Sequence, residues 1–213
     1  MEKSLITDSI QYSYNKNYTF VFPDIVCEKG EHLLITGASG CGKTTLLHLI
    51  AGLVTPKRGS VLIKGNDITQ LRGAKLDKYR GREIGIVFQT PQFIKSLTAE
   101  ENLKMAVSLN NLSVDNIYLD SLFETLNIVH CRNRKTNEMS QGELQRLSIA
   151  RAVINKPSLI LADEPTSSLD DKNCKEAIKL LRYQAEKLQA GLIIVTHDNR
   201  LIPGFSKIVH LES

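Results

Sequence analysis

Short β-branched segments recur along the chain: "SLITDSIQYSY", "YTFVFPDIV", "HLLITG", "SVLIKG", "EIGIVFQ", "SLILADE", "LIIVTHD" and "KIVHLE". Several are apolar without alternation, the pattern of strands covered on both faces. Between them the sequence predicts helices over Lys43–Ala51, Ala99–Asn110, Val114–Asn127, Gly142–Asn155 and Asp171–Gln189. Strands alternating with helices imply an α/β layered core with a largely parallel sheet. From about Pro91 to Lys156 the pattern is helical, with no convincing strand. The expectation is therefore one domain over 1–213, with an α/β core at 1–90 and 157–213 and an inserted helical lobe at 91–156.

Composition narrows the function classes. The 213 residues, 42% of them hydrophobic, suffice for one large domain with a proper core. A net charge of +4 without a dense Lys/Arg face or interleaved aromatics gives no reason to expect nucleic acid as a partner. Cys27, Cys41, Cys131 and Cys174 are scattered, without a C-x-x-C pair or zinc-like spacing, as in a reduced cytosolic protein. The apolar runs are strand-sized, and "MEKSLITDSIQYSYNK" lacks the basic start and apolar stretch of a secretion signal. The chain is not expected to cross a membrane unaided, nor to carry a regulatory domain after "KIVHLE".

"HLLITGASGCGKTTLLHLIAGL" places Gly37, Ala38, Ser39, Gly40, Cys41, Gly42, Lys43 and Thr44, followed by Thr45, between a strand and a helix. This fits G-x-x-x-x-G-K-[ST] in its required context. Three glycines let successive N–H groups turn toward phosphate oxygens, and the helix start adds a positive dipole end. Lys43 is expected to reach the β- and γ-phosphates, and the Thr44 hydroxyl to ligate Mg²⁺. Cys41, inside the cradle, reads as a small filler and as a candidate for alkylation.

In "SLILADEPTSSLD", Asp163 and Glu164 end an apolar strand. A carboxylate there can hold Mg²⁺, and its neighbour can polarise the water that attacks a γ-phosphate.

With these motifs in place, nearly the whole chain, from about Ser4 onward, resembles the nucleotide-binding subunit of an ABC transporter. The resemblance implies a P-loop NTPase core with a mixed, mainly parallel sheet, an N-terminal antiparallel β region and an inserted helical subdomain. It implies ATP and Mg²⁺ as cofactors. Asp163 becomes the Walker B magnesium residue and Glu164 the catalytic base. Gln89, in "IVFQTPQ", fits the glutamine that senses metal and γ-phosphate and borders the membrane partner. Ser167 to Asp170 fits the D-loop, and His197 the switch histidine that contacts the γ-phosphate. Tyr14 suits the aromatic that stacks on adenine, with Tyr12 and Tyr18 as nearby competitors.

"MSQGELQR" stands where the family carries its signature, usually written L-S-G-G-Q. Ser140 and Glu143 form a capping box that opens a helix, whose unpaired N–H groups offer a second anion site. The Ser140 hydroxyl and the Gly142 amide would face a γ-phosphate. The family joins two subunits head to tail, each signature closing on ATP held by the other chain, so ATP binding and hydrolysis become a population shift. Three positions depart from the pattern: Met139 for Leu, Gln141 for the first Gly and Glu143 for the final Gln. Met conserves volume and Glu suits a capping box, whereas Gln141 requires a backbone acceptable to a residue with a Cβ.

"LDKYRGREIGIVFQTPQFIKSLTAEENL" resembles the lipoprotein-release, macrolide-export and cell-division branch, with Thr98 and Glu101 as a further capping box. That branch implies a separate four-span permease at the cytoplasmic face of the bacterial inner membrane. The leading expectation is a motor subunit for export or lipoprotein release; the alternative is a regulatory ATPase signalling through a membrane partner to a cell-wall hydrolase without moving cargo. Arg72, Lys75, Lys78, Arg80 and Arg82 read as the solvated face of a connecting helix, with a face toward the membrane surface or a permease as the alternative.

Overall fold

The computed structural model describes residues 2–14, 18–167 and 169–212. Its centre is a wholly parallel sheet of β4 (His32–Gly37), β7 (Ile84–Val87), β8 (Leu159–Asp163), β9 (Gly191–Thr196) and β10 (Lys207–Leu211), ordered β10-β4-β9-β8-β7. Every residue of β8 and β9 is buried. That explains their uninterrupted apolar sequences, because helices or another sheet cover both faces. Side chains alternate between two cores: Leu34, Ile160, Ala162, Leu192 and Ile194 join one, while Leu33, Ile35, Leu161, Ile193 and Val195 join the other.

The second core lies beneath a separate antiparallel sheet. There β1 (Lys3–Tyr12) pairs with β2 (Phe20–Val21), β3 (Val26–Glu28) and β5 (Arg58–Ile63), and β6 (Asn66–Asp67) extends β5. The sequence predicts one strand over "YTFVFPDIV", but the structure divides it at Pro23 into β2 and β3. Proline lacks the N–H that a ladder needs. The turn is tied back to β1 by Phe22 N–H to Ile10 O at 3.0 Å and Ile25 N–H to Thr7 Oγ1 at 2.8 Å.

Helix α1 (Lys43–Ile50) follows β4 and packs on the parallel sheet. Helix α2 (Gly73–Glu83) buries none of its residues; Lys75, Lys78, Arg80 and Arg82 lie on it, and Arg72 is its N-cap. Between β7 and β8 come α3 (Ala99–Ser108), α4 (Asn116–Thr125) and α5 (Gln141–Val153), whose Leu103, Phe123 and Leu147 are fully buried in the first core. Helix α6 (Asp171–Leu188) packs against α5 and β9. No described helix is long and apolar enough to cross a membrane.

Candidate nucleotide site and its comparisons

The sheet order delivers the chemistry to one edge. Strands β4, β8 and β9 are adjacent and parallel, so the residues after their C-terminal ends emerge side by side. After β4, the loop turns into α1 through Gly42, which has φ 95°. A Cβ there would lie 2.8 Å from Phe20 Cδ1 and 3.0 Å from Phe22 Cε1, so the glycine answers both the backbone angle and the close approach of two rings. Lys43 is buried, and its Nζ donates to Gly37 O at 2.9 Å and Ala38 O at 2.8 Å. Its charge is thus held inside the loop by neutral acceptors alone, where an anion would be a stronger partner. Cys41 is only 5% exposed and belongs to the second core. That burial fits the reading of Cys41 as a small filler beneath the loop.

After β8, Asp163 accepts a hydrogen bond from Thr44 Oγ1 at 3.1 Å. Burial raises the pKa of its carboxyl, with Thr44 opposing the shift. Two hard oxygen donors held together beside the loop fit Mg²⁺. Glu164 has φ 45°, a left-handed backbone that a non-glycine residue rarely adopts, and it is buried. Its carboxylate accepts from Thr196 Oγ1 at 2.8 Å, from His197 N–H at 3.0 Å and from His197 Nδ1 at 2.6 Å. Three donors from the end of β9 aim the carboxylate, while the His197 side chain stays 64% exposed.

These residues enclose a cleft of about 470 Å³ lined by Tyr14, Phe20, Ser39, Gly40, Gly42, Lys43, Thr44, Thr45, Gln89, Glu164 and His197. The structure therefore brings together Tyr14, the phosphate loop, Gln89, Glu164 and His197. Tyr14 is exposed to solvent and hydrogen-bonds Thr45 Oγ1 through its hydroxyl at 2.9 Å. Its competitors do not line the cleft: Tyr12 meets the Tyr14 ring edge-on at 4.9 Å and Tyr18 meets Phe20 at 4.8 Å.

The signature residues stand apart. Ser140, Gly142 and Glu143 line no part of this cleft. Ser140 caps α5, with Ser140 N–H donating to Glu143 Oε2 at 2.7 Å and Glu143 N–H donating to Ser140 Oγ at 3.4 Å. The Ser140 amide is the first cause that holds Glu143 down at about 2; His130 contributes from 2.8 Å. Exposed Gln141 starts the helix with no positive φ, so its Cβ is accommodated without strain. His130, Cys131 and Glu143 bring possible ligand atoms within 4.8 Å of one another, but Arg134 Nη1 lies 3.3 Å from Glu143 and 3.9 Å from Cys131 Sγ. The cluster already holds a cation of the protein's own. Asp170 is likewise outside the cleft; it caps α6, accepting Asn173 N–H at 2.9 Å, which keeps its carboxyl low. Of the D-loop run, Ser168 lies outside the described residues.

Sequence reasoning missed Phe20 as a wall of the cleft and Thr196 as a donor to Glu164. Thr196 directly precedes His197 at the end of β9, a position from which its role was inferable; Phe20 carries no such local signal. A family model described as "ABC transporter" matches residues 24–167. The chain is 34% identical to the bacitracin export ATP-binding protein BceA of Halalkalibacterium halodurans, covering 100% of this chain and 85% of that protein. It is 37% identical to the lipoprotein-releasing system ATP-binding protein LolD of Xanthomonas oryzae pv. oryzae, covering 94% and 84% respectively. Among solved structures, the dimeric ATP-binding cassette MJ0796 in a post-hydrolysis state bound to ADP and Pi is 30% identical and superposes with a TM-score of 0.86, over 98% of this chain and 94% of that one. Motif geometry, family model and structural likeness agree: the chain belongs to the ABC transporter family, as an ATP-binding, ATP-hydrolysing subunit.

Proposed function

We propose that this subunit dimerises head to tail around two MgATP and drives a separate membrane permease in export or lipoprotein release. The observation that carries the shared site is the separation just described. The phosphate loop, Gln89, Glu164 and His197 line one cleft, while the Ser140 helix start, whose first turn leaves N–H groups without helical partners, lines no part of it. A second copy would supply the missing anion-binding end, and the dimeric cassette MJ0796 supports that arrangement. The names of BceA and LolD support an exporting or lipoprotein-releasing permease as the partner, and in this reading the subunit works at the cytoplasmic face of the inner membrane.

In this reading Tyr14 stacks on adenine. The amides of Gly37, Ala38, Ser39, Gly40, Cys41 and Gly42, with Lys43 and the Thr45 hydroxyl, hold the phosphates. Lys43 exchanges its two carbonyl acceptors for phosphate oxygens. Thr44, Asp163 and Gln89 would hold Mg²⁺, which neutralises charge building on the β- and γ-phosphates. Glu164 orients the attacking water and accepts its proton, and His197 moves from Glu164 toward the γ-phosphate. From the other chain, Ser140, Gly142 and Glu143 close the site, with Asp170 at the seam.

Reconstitution in vesicles with a four-span permease tests the assignment. MgATP should release an anchored lipoprotein or expel a peptide, and Glu164→Gln should stop it. Coupled ATP turnover that moves neither would contradict the cargo-moving role.

A further inference from the structure

Helix α5 begins at the signature and is joined to the loop that carries Glu164 by a buried side chain. Gln145 is 5% exposed, and its Nε2 donates to Pro165 O at 2.9 Å. Among the described residues this is the side-chain hydrogen bond from α5 to the loop after β8. Pro165 directly follows Glu164, the residue held at φ 45°. On its far side the loop is fixed to the end of β9: Thr166 Oγ1 donates to Asp198 Oδ2 at 3.1 Å, Asp198 N–H donates to Thr196 Oγ1 at 3.0 Å, and Thr196 Oγ1 donates to Glu164 Oε2 at 2.8 Å. The loop is thus tied to the end of β9 on both sides of Pro165, through Glu164 and Thr166, and to α5 at Pro165 itself.

Gln145 follows Gly142 by three positions, about 4.5 Å along the helix axis. A displacement of the helix start when it engages a phosphate is therefore carried to Gln145 with little loss, because a single turn of hydrogen-bonded helix is stiff. Neither the phosphate loop nor the cleft contains Gln145, so its action on the reaction passes through Pro165.

We infer that Gln145 is a positioning residue that couples engagement of this chain's signature helix to the placement of this chain's own Glu164. The inference rests on the shared-site reading above. In the dimer, the signature of a chain touches ATP in the opposite site, whereas its Glu164 acts on ATP in its own. The Gln145–Pro165 bond makes the two sites report to each other: a filled opposite site sets the local carboxylate, and an empty one leaves it unset. Coupling of this kind appears as positive cooperativity in ATP turnover.

The test compares wild type with Gln145→Met, which keeps volume and removes the donor, and Gln145→Glu, which keeps shape and sets a carboxylate oxygen against the carbonyl. ATP turnover is measured against MgATP concentration, with binding of a fluorescent ATP analogue and thermal unfolding measured in parallel. For wild type the Hill coefficient should approach about 2, the number of sites. In both variants it should fall below the wild-type value, and kcat should fall on the order of tenfold to a hundredfold, as for a displaced reacting group. Analogue affinity per folded chain should stay unchanged. A general folding defect lowers kcat and the number of binding sites together and leaves the Hill coefficient alone. Variants that retain the wild-type Hill coefficient would overturn the inference while leaving the shared site intact. A wild type that is monomeric and non-cooperative at saturating MgATP would overturn the shared-site reading and the inference with it.

Discussion

Replacing Gly42 by alanine adds one methyl at the start of α1, and the structure assigns that methyl two separate costs. The backbone sits at φ 95°, in the left-handed half of the map, where an L-residue loses roughly 1–2 kcal/mol. The new Cβ would also fall 2.8 and 2.9 Å from two ring carbons of Phe20 and 3.0 Å from one of Phe22. Overpacking of this kind costs about 1–3 kcal/mol. Gly40→Ala separates the two. Its φ is 85°, yet a Cβ there meets nothing within 4 Å, so only the backbone cost of about 1–2 kcal/mol applies. Urea unfolding should therefore show Gly42→Ala losing more stability than Gly40→Ala by about the overpacking cost of 1–3 kcal/mol. Relief of the contact moves either the rings or the loop. Calorimetry should then show MgATP affinity lower for Gly42→Ala by on the order of tenfold, the equivalent of 1.4 kcal/mol. Equal stability losses for the two variants, with wild-type MgATP affinity for Gly42→Ala, would refute the reasoning.

Further outcomes follow from the same geometry. Lys43→Ala should weaken ATP binding on the order of tenfold to a hundredfold in equilibrium titration, since charged hydrogen bonds contribute about 1.5–3 kcal/mol. Tyr14→Ala should also weaken it, by the roughly 1–3 kcal/mol that aromatic stacking on a base provides; Tyr18→Ala, outside the cleft, should bind ATP like wild type. The Glu143 carboxyl titrates at about 2 in the fold, below its unfolded value near 4.3. A depressed folded value stabilises above the unfolded pKa, so the stability difference between wild type and Glu143→Gln should be full above about pH 5 and shrink as pH falls toward 2, read by urea unfolding.

The catalytic cleft was legible in the sequence because its parts are local. Gly37 to Thr45 is one strand-loop-helix unit, Asp163 ends one apolar strand with Glu164 directly after it, and His197 directly follows another. Each motif carries its own backbone signal. What escaped is what depends on packing between distant segments. Phe20 becomes a cleft wall only because Pro23 breaks the strand and β1 draws β2 back beside α1. The Gln145–Pro165 bond joins residues 20 apart in sequence through the packing of α5 below the loop, and no spacing rule encodes it. Asp170 and Ser140 read as functional residues from their motifs, and in this chain both are helix caps. Capping and phosphate binding draw on the same free N–H groups, so the sequence alone does not separate them.

The central claim is that the signature face completes the nucleotide site of a second chain. The direct measurement is the molar mass of Glu164→Gln by light scattering, with and without MgATP, beside the double variant Gly142→Asp, Glu164→Gln. A Cβ at Gly142 meets nothing within 4 Å, so the aspartate fits the folded subunit while setting an anion against the incoming phosphate. The account predicts that MgATP doubles the mass of Glu164→Gln, and that the double variant binds ATP yet stays monomeric. A double variant that dimerises as readily as Glu164→Gln would contradict it.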